Sequence, residues 1–211
     1  MQIFTLFAIF LSVCLMAIAK RTQALVIAFR IQSFFLFLMT LLLAIEDGNI
    51  DLYIIAGLLL VLKVVAIPIF LLRISKRLKA SENIGLFINS QLSLIALLVI
   101  MYISWYFSKM IFAYDGAAQI AMIAASLTTA LCGVFIMIFR MTALTQIIGL
   151  LAVENGLFLL ASTVSGGMPF IVEIAVFFDV FVSVIIMGIF VYRINKLFTH
   201  IDVDKLTLLK G

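Results

Sequence analysis

Seven long apolar stretches dominate this chain, and short polar breaks separate them. A membrane-spanning helix needs about 20 mostly apolar residues in a row, and each stretch is long enough to supply them. Hydrophobic residues make up 66% of the sequence and charged residues only 11%, which leaves too little polar surface to cover a water-soluble fold. We therefore predict an all-α, polytopic membrane helix bundle with about seven transmembrane helices. The predicted spans are Gln2–Ala19, Ala24–Ile45, Leu52–Leu72, Ile84–Phe107, Ala117–Phe139, Thr145–Val164 and Pro169–Tyr192.

The basic residues between these spans fall almost entirely on one side of the predicted membrane. Lysine and arginine mark the cytoplasmic side of membrane proteins, so we expect an outside N-terminus and a cytoplasmic C-terminus in the cell (inner) membrane. The net charge of +4 then reflects orientation rather than nucleic-acid binding. The basic side carries Lys20, Arg21, Arg73, Lys76, Arg77, Lys79, Arg140, Arg193, Lys196, Lys205 and Lys210, and the other side carries Lys109, Glu46, Asp47, Asp51 and Asp115.

A weak internal repeat suggests how the spans are grouped. The residues from Arg21 to Leu25 resemble those from Arg140 to Leu144, and both segments open a span. Spans one to three would then repeat as spans five to seven, although chance similarity between apolar sequences is the alternative. The predicted parts are a three-helix unit (1–79), a connecting helix with its outer loop (80–116), a second three-helix unit (117–192) and a cytoplasmic tail (193–211).

The ionisable residues within the predicted spans that could carry chemistry are Glu154, Asp179, Glu173 and Lys63. Arg30 lies only two turns into the second span and should reach the cytoplasmic boundary. A charged side chain at the centre of a bilayer costs about 2.5–3.5 kcal/mol on the insertion scale, so these groups should face protein, water or one another. Burial favours the protonated form of a carboxyl group, and a nearby lysine favours the ionised form. A movable contact between lysine and carboxylate can therefore load and release a proton. The alternative is a static ion pair that sets helix register.

Two local features support helix packing and distortion around these residues. Pro68 follows Lys63 by five residues and cannot donate a hydrogen bond to the carbonyl of Val64, so the helix should loosen beside the lysine. An ordinary proline kink is the alternative. In span six, small residues suited to close helix packing form a stripe that points away from Glu154: Gly149, Ala152 and Gly156.

Soluble-enzyme signatures and cofactor sites are missing from the sequence. The chain has a single histidine, His200, in the predicted tail, so haem pairs and histidine-based metal sites cannot be built in the membrane. Cys14 and Cys132 both lie in apolar runs without metal-ligand spacing. We expect no cofactor, no metal and no catalytic residue in this chain.

The segment from Gln146 to Leu159, QIIGLLAVENGLFL, resembles component E of hydrogenase-4, a membrane subunit of the formate hydrogenlyase type of group 4 nickel–iron hydrogenase. The run from Pro169 to Glu173, the later Asp179, and Lys63 followed by Pro68 resemble the same family. The last three spans are also similar to the complex I K subunit and the Mrp antiporter C subunit. Relative to that K subunit, Glu154 lies about one helical turn late, and Asp179 replaces a glutamate.

The resemblance implies a role and a set of partners. The chain would be a non-catalytic membrane subunit of an oxidoreductase complex, helping couple electron transfer to proton (or sodium) translocation through Glu154, Asp179, Glu173 and Lys63. Its partners would be hydrogenase catalytic and iron–sulfur subunits, which hold the nickel–iron centre and the clusters, together with antiporter-like membrane subunits and the lipid bilayer. The alternatives are a stand-alone ion or small-molecule transporter, a K-type subunit of complex I or an Mrp antiporter, and a purely structural membrane anchor.

Overall fold

The computed structural model of the chain describes residues 2–48, 50–77, 89–111, 116–140 and 142–164. These residues are helical over nearly all of their length, as the hydropathy pattern predicts. Residues 50–77 form one continuous rod made of three consecutive helical elements, which we call the third span. The elements are α1 (Gln2–Ile18), α2 (Thr22–Asp47), α3 (Ile50–Leu58), a π-helical segment (Leu59–Ala66), α4 (Ile67–Arg77), α5 (Ser90–Ile111), α6 (Ala117–Phe139) and α7 (Ala143–Val164).

The lengths of these helices confirm a multi-pass arrangement within the described ranges. Five helical stretches are long and apolar enough to cross a membrane, and α1 contributes a shorter apolar helix, Thr5–Ile18. The seventh predicted window, Pro169–Tyr192, lies outside the described residues, so the count of about seven stays a prediction. The five long stretches are Thr22–Glu46, Ile50–Ser75, Gln91–Ile111, Ala117–Phe139 and Leu144–Val164.

Two predicted span ends shift by four and five residues, because charged side chains can extend a helix at its ends. The fourth span was predicted to end at Phe107, but α5 continues through Lys109 to Ile111. Lysine in the last turn interacts favourably with the helix dipole, and its long side chain reaches polar surroundings. Likewise, the third span continues as α4 to Arg77, into the segment that the sequence pattern assigned to a break.

Gly48 ends α2 and allows the chain to reverse into the third span. Its φ of 64° lies in the left-handed region, which glycine adopts without a Cβ clash. Its backbone N–H donates to the carbonyl oxygen of Ala44 over 3.0 Å, so one of the last carbonyls of the helix is satisfied. The short connection lets α2 pack along the third span.

Helix α2 lies at the centre of the described bundle. It packs against α1, against the third span and against α7. On the far side, α6 packs against α7 and α1, and α5 packs against α1 and α6. Side chains of α2, the third span and α7 therefore meet inside the bundle, whereas much of α5 is exposed.

Backbones of α6 and α7 approach closely at three glycines. A Cβ atom built on Gly133 would lie 2.6 Å from the carbonyl oxygen of Gly149, and one on Gly156 would lie 2.5 Å from the backbone nitrogen of Ala130. These are distances at which only glycine fits. The packing role predicted for the stripe holds at Gly149 and Gly156, and Gly133 is its partner on α6. This contact fixes which face of α7 turns toward α2 and the third span.

Arg140 ties the end of α6 to the end of α1. Its Nη2 donates to the carbonyl oxygen of Ala17 over 3.0 Å, and only 2% of the residue is exposed. Ala17 is in the last turn of α1, where carbonyl groups lack helical partners and attract cations. Burial lowers the pKa of the Arg140 guanidinium, although arginine keeps its proton in proteins. These two helix ends therefore lie at the same end of the bundle.

Candidate functional site

Five polar side chains from three helices meet near the middle of the bundle. Each residue is at most 3% exposed, and each lies close to the midpoint of its helix, far from either end. For example, Glu154 is 11 residues from the start of α7, which corresponds to about 16 Å along the axis. A polar cluster at such depth needs internal partners. Its members are Gln32 and Ser33 on α2, Lys63 on the third span, and Glu154 and Asn155 on α7.

Lys63 lies inside the π-helical segment of the third span. The segment ends at Ala66, two residues before Pro68, and the N–H of Ile67 donates to the carbonyl oxygen of Leu62, five residues earlier. Because Pro68 has no N–H, the regular four-residue hydrogen bond to Val64 is missing, and the wider π spacing forms on the N-terminal side. π-Helical turns occur frequently at functional sites. The loosening expected beside Lys63 is therefore a π distortion rather than a simple kink.

The Lys63 ammonium lies between two neighbouring side chains of α7. Its Nζ donates to Asn155 Oδ1 over 3.0 Å and is 3.9 Å from Glu154 Oε2. The shorter contact is a hydrogen bond, whereas the longer one is an ion pair beyond hydrogen-bond distance. Two unit charges at that separation attract by about 4 kcal/mol at an effective dielectric constant of 20, and desolvation of both groups offsets much of that attraction.

Asn155 also connects the cluster to α2. Its Nδ2 donates to Ser33 Oγ over 3.1 Å and to Gln32 Oε1 over 3.3 Å. The Nε2 atom of Gln32 is buried and has no hydrogen-bond partner within the described ranges. Buried donors of this kind normally bind ordered water or another polar group. The network therefore links α2, the third span and α7 through Asn155.

An apolar cluster closes one end of the site. Its members on α2 and α7 follow the polar residues in sequence, and those on the third span precede Lys63, so they all lie toward the same end of the bundle. That end carries the acidic connection between α2 and α3. The cluster consists of Ile9, Leu36, Ala44, Leu52, Ile55, Leu59, Phe158 and Leu159.

The structure brings together two of the four ionisable residues that the sequence singles out, Lys63 and Glu154. Glu173 and Asp179 lie outside the described residues, as does His200. Sequence reasoning missed Asn155, Gln32 and Ser33. Their signal was present, because each is a polar residue near the middle of an apolar span, and the cost of burying such a group predicts a partner.

Within the described ranges, no group of three or more histidine, cysteine, aspartate or glutamate side chains comes together in a way that could hold a metal ion. The chemistry that the described cluster supports is therefore that of a carboxyl group, an ammonium group and neutral amides and hydroxyls. Of these groups, Glu154 can take up and release a proton, and Lys63 can stabilise its ionised form.

The chain is similar to the uncharacterized protein Rv0085 of Mycobacterium tuberculosis (strain ATCC 25618 / H37Rv). The two are 26% identical over 171 residues, which cover 81% of this chain and 78% of the relative. No family model matches the chain. No solved structure matches it either.

Proposed function

We propose that this chain is a non-catalytic membrane subunit of a hydrogenase-4 or formate hydrogenlyase-type complex. In that complex it helps couple electron transfer in partner subunits to translocation of protons (or sodium ions). Support for a coupling role comes from the buried contact between Lys63 and Glu154 at mid-depth, beside a π-helical segment. Support for the kind of complex comes from the resemblance of the Gln146–Leu159 segment to component E of hydrogenase-4.

Glu154 is the proposed proton carrier. A carboxylate held in the membrane interior with a lysine about 4 Å away can exist in two charge states of similar free energy, because burial favours one and the ammonium favours the other. A conformational change that moves Lys63 shifts the balance between them. Glu173 and Asp179, which the sequence places in the predicted last span, are proposed as further members of the route.

The π-helical segment gives the lysine a means to move. A π turn places one extra residue in the helix, and small shifts of such a turn change side-chain position without unfolding the span. Electron transfer in the partner subunits would drive this shift. The nickel–iron centre and the iron–sulfur clusters would be bound by those partners, in a cell (inner) membrane assembly whose N-terminus lies outside.

Purification of the tagged chain in mild detergent from its native host tests the partner assignment. The expected result is co-purification of a nickel–iron large subunit with antiporter-like membrane proteins. Recovery with complex I subunits would replace the hydrogenase assignment with the K-subunit alternative. A chain recovered alone, folded and monodisperse, would overturn the subunit proposal and favour a stand-alone transporter.

Substitution of Glu154 by glutamine tests the coupling role. Glutamine keeps the size and hydrogen-bonding capacity of the side chain but cannot carry a proton, so hydrogenase-driven acidification of inverted membrane vesicles should be lost. Dye-linked hydrogenase activity should remain. The matched control is Glu46→Gln, which makes the same change at the exposed end of α2 and should leave both activities intact.

If Lys63 and Glu154 form only a static ion pair, the Glu154→Gln variant should behave differently. In that case Glu154→Gln reduces the amount of assembled complex, and each remaining complex moves as many ions per turnover as before. Vesicle acidification is therefore normalised to the hydrogenase subunit measured in the same membranes. Unchanged ion movement per complex would refute the coupling role of Glu154.

A further inference from the structure

We propose that Asn155 is a positioning residue that holds the Lys63 ammonium while the Glu154 carboxyl is protonated. The inference rests on the proposed function only in taking Glu154 as the proton carrier. The supporting observation is a pair of distances from Lys63 Nζ. The neutral amide oxygen of Asn155 is 3.0 Å away, and the carboxylate oxygen of Glu154 is 3.9 Å away. The ammonium is hydrogen-bonded to the amide, and it would need to move only about 1 Å to reach hydrogen-bond distance from the carboxylate.

The orientation of the Asn155 amide is set by α2. Its Nδ2 donates to the Ser33 hydroxyl and to the side-chain amide oxygen of Gln32, so its Oδ1 must point toward Lys63. A flip of the amide would break both hydrogen bonds and place two donors against a cation. Asn155 therefore presents a fixed, uncharged acceptor to the lysine. An acceptor without charge can hold the ammonium while Glu154 is protonated and offers no charge to it.

Two positions for the lysine follow from these distances. When Glu154 is protonated, the ammonium gains most from the amide, where it lies in the structure. When Glu154 is ionised, a charge-assisted hydrogen bond of about 2.8 Å becomes available, and an ammonium shift of about 1 Å completes it. Lys63 thus alternates between Asn155 and Glu154 as the proton leaves and returns. The π-helical segment around Lys63 accommodates the shift.

Lys63 is a described charge beside Glu154 that can respond to protonation of the carboxyl group. The third span supplies Lys63, α2 supplies the neutral Gln32 and Ser33, and α6 has no aspartate, glutamate, lysine, arginine or histidine between Ala117 and Phe139. Removal of the neutral acceptor should therefore act on Glu154 through the lysine. Without Asn155 Oδ1, the state with a protonated carboxyl loses the hydrogen bond between the ammonium and the amide, and the ionised state is favoured.

Infrared difference spectroscopy of the full chain, with its co-purifying partners in lipid nanodiscs, measures this directly. The protonated-carboxyl band that disappears in Glu154→Gln reports Glu154, and its intensity is followed against pH. In Asn155→Leu the midpoint should fall by about one to two pH units, the equivalent of one hydrogen bond to a charged group. In Asn155→Asp, a second carboxylate beside Glu154 should raise the midpoint instead.

A double-mutant cycle separates positioning from a structural role. In a Lys63→Met background the effect of Asn155→Leu on the midpoint should vanish, because the residue acts through the lysine. Ser33→Ala, a smaller change that loosens the amide, should lower the midpoint by less than Asn155→Leu, and it replaces that variant if the latter does not fold.

The outcomes distinguish this inference from the proposed function. An unchanged midpoint in Asn155→Leu or Ser33→Ala, or an effect that persists without Lys63, would overturn the role of Asn155 while leaving Glu154 as the carrier. A wild-type Glu154 that keeps one protonation state at every pH would overturn both.

Discussion

Replacement of Gly156 by alanine should destabilise the bundle at the contact between α6 and α7. The added methyl group would lie 2.5 Å from the backbone nitrogen and 2.9 Å from the Cα atom of Ala130, and 2.8 Å from the carbonyl oxygen of Ser126. All three are backbone atoms, which cannot rotate away, so the cost should lie in the upper part of the range of about 1–3 kcal/mol for overpacking. Alanine recovers up to about 1 kcal/mol of helix propensity. The expected net destabilisation is therefore about 1–2 kcal/mol.

The matched control is Gly57→Ala in α3, where an added Cβ would meet nothing within 4 Å. That variant should be stabilised by about 0.5–1 kcal/mol through helix propensity alone. The free energy of unfolding is measured by titrating SDS into mixed micelles of the full chain and following the fluorescence of Trp105, the single tryptophan. Equal stability of the two variants would refute the close backbone contact between α6 and α7. Gly133→Ala should behave like Gly156→Ala.

Three further predictions concern the helix ends, the π segment and the ion. Arg140→Gln should lower the free energy of unfolding by about 1.5–3 kcal/mol, because the charged hydrogen bond to Ala17 is lost. The control Lys20→Gln, at an exposed position, should have little effect in the same SDS titration. Pro68→Ala restores a backbone N–H that can donate to the carbonyl oxygen of Val64, so the backbone amides of the π segment should exchange with deuterium more slowly than in the wild type. An unchanged exchange rate would contradict the role given to the proline. If Glu154 carries a proton, ion movement should proceed equally in sodium-free and sodium-rich buffer, because the neutral oxygens of Asn155, Ser33 and Gln32 already accept hydrogen bonds. A requirement for sodium would contradict the proton-carrier role and favour sodium as the coupling ion.

The fold was largely predictable because the bilayer imposes a simple length rule. Apolar stretches of about 20 residues must be helices in a membrane, so Ala117–Phe139 was predicted with the bounds that α6 has. The ends shifted where a charged side chain, as at Lys109, can remain in the helix and still reach polar surroundings. The π segment was only partly predictable, since Pro68 indicates a lost hydrogen bond but not how the helix adjusts.

The candidate site was predictable only for its charged members. The cost of a charge in the membrane singles out Lys63 and Glu154 without any knowledge of the fold. Asn155 is an amide, and amides in membrane helices commonly serve as packing contacts, so its role depends on what faces it. Its partners lie 92 residues away on the third span and 122 and 123 residues away on α2, and only the packing of α2 between the other helices shows that they meet.

The separation between Lys63 and its partners has a consequence for synthesis and insertion of the chain. Lys63 precedes Asn155 by 92 residues, so at about 5–20 residues per second the third span emerges about 5–18 s before the helix that binds its lysine. During that interval the lysine adds about 2.5–3.5 kcal/mol to the free energy of insertion. The third span has a mean hydropathy of 2.8, the highest of the five long stretches, whose other values run from 1.8 to 2.2. Its surplus of apolar side chains allows a lysine to enter the bilayer ahead of the residues that will hold it.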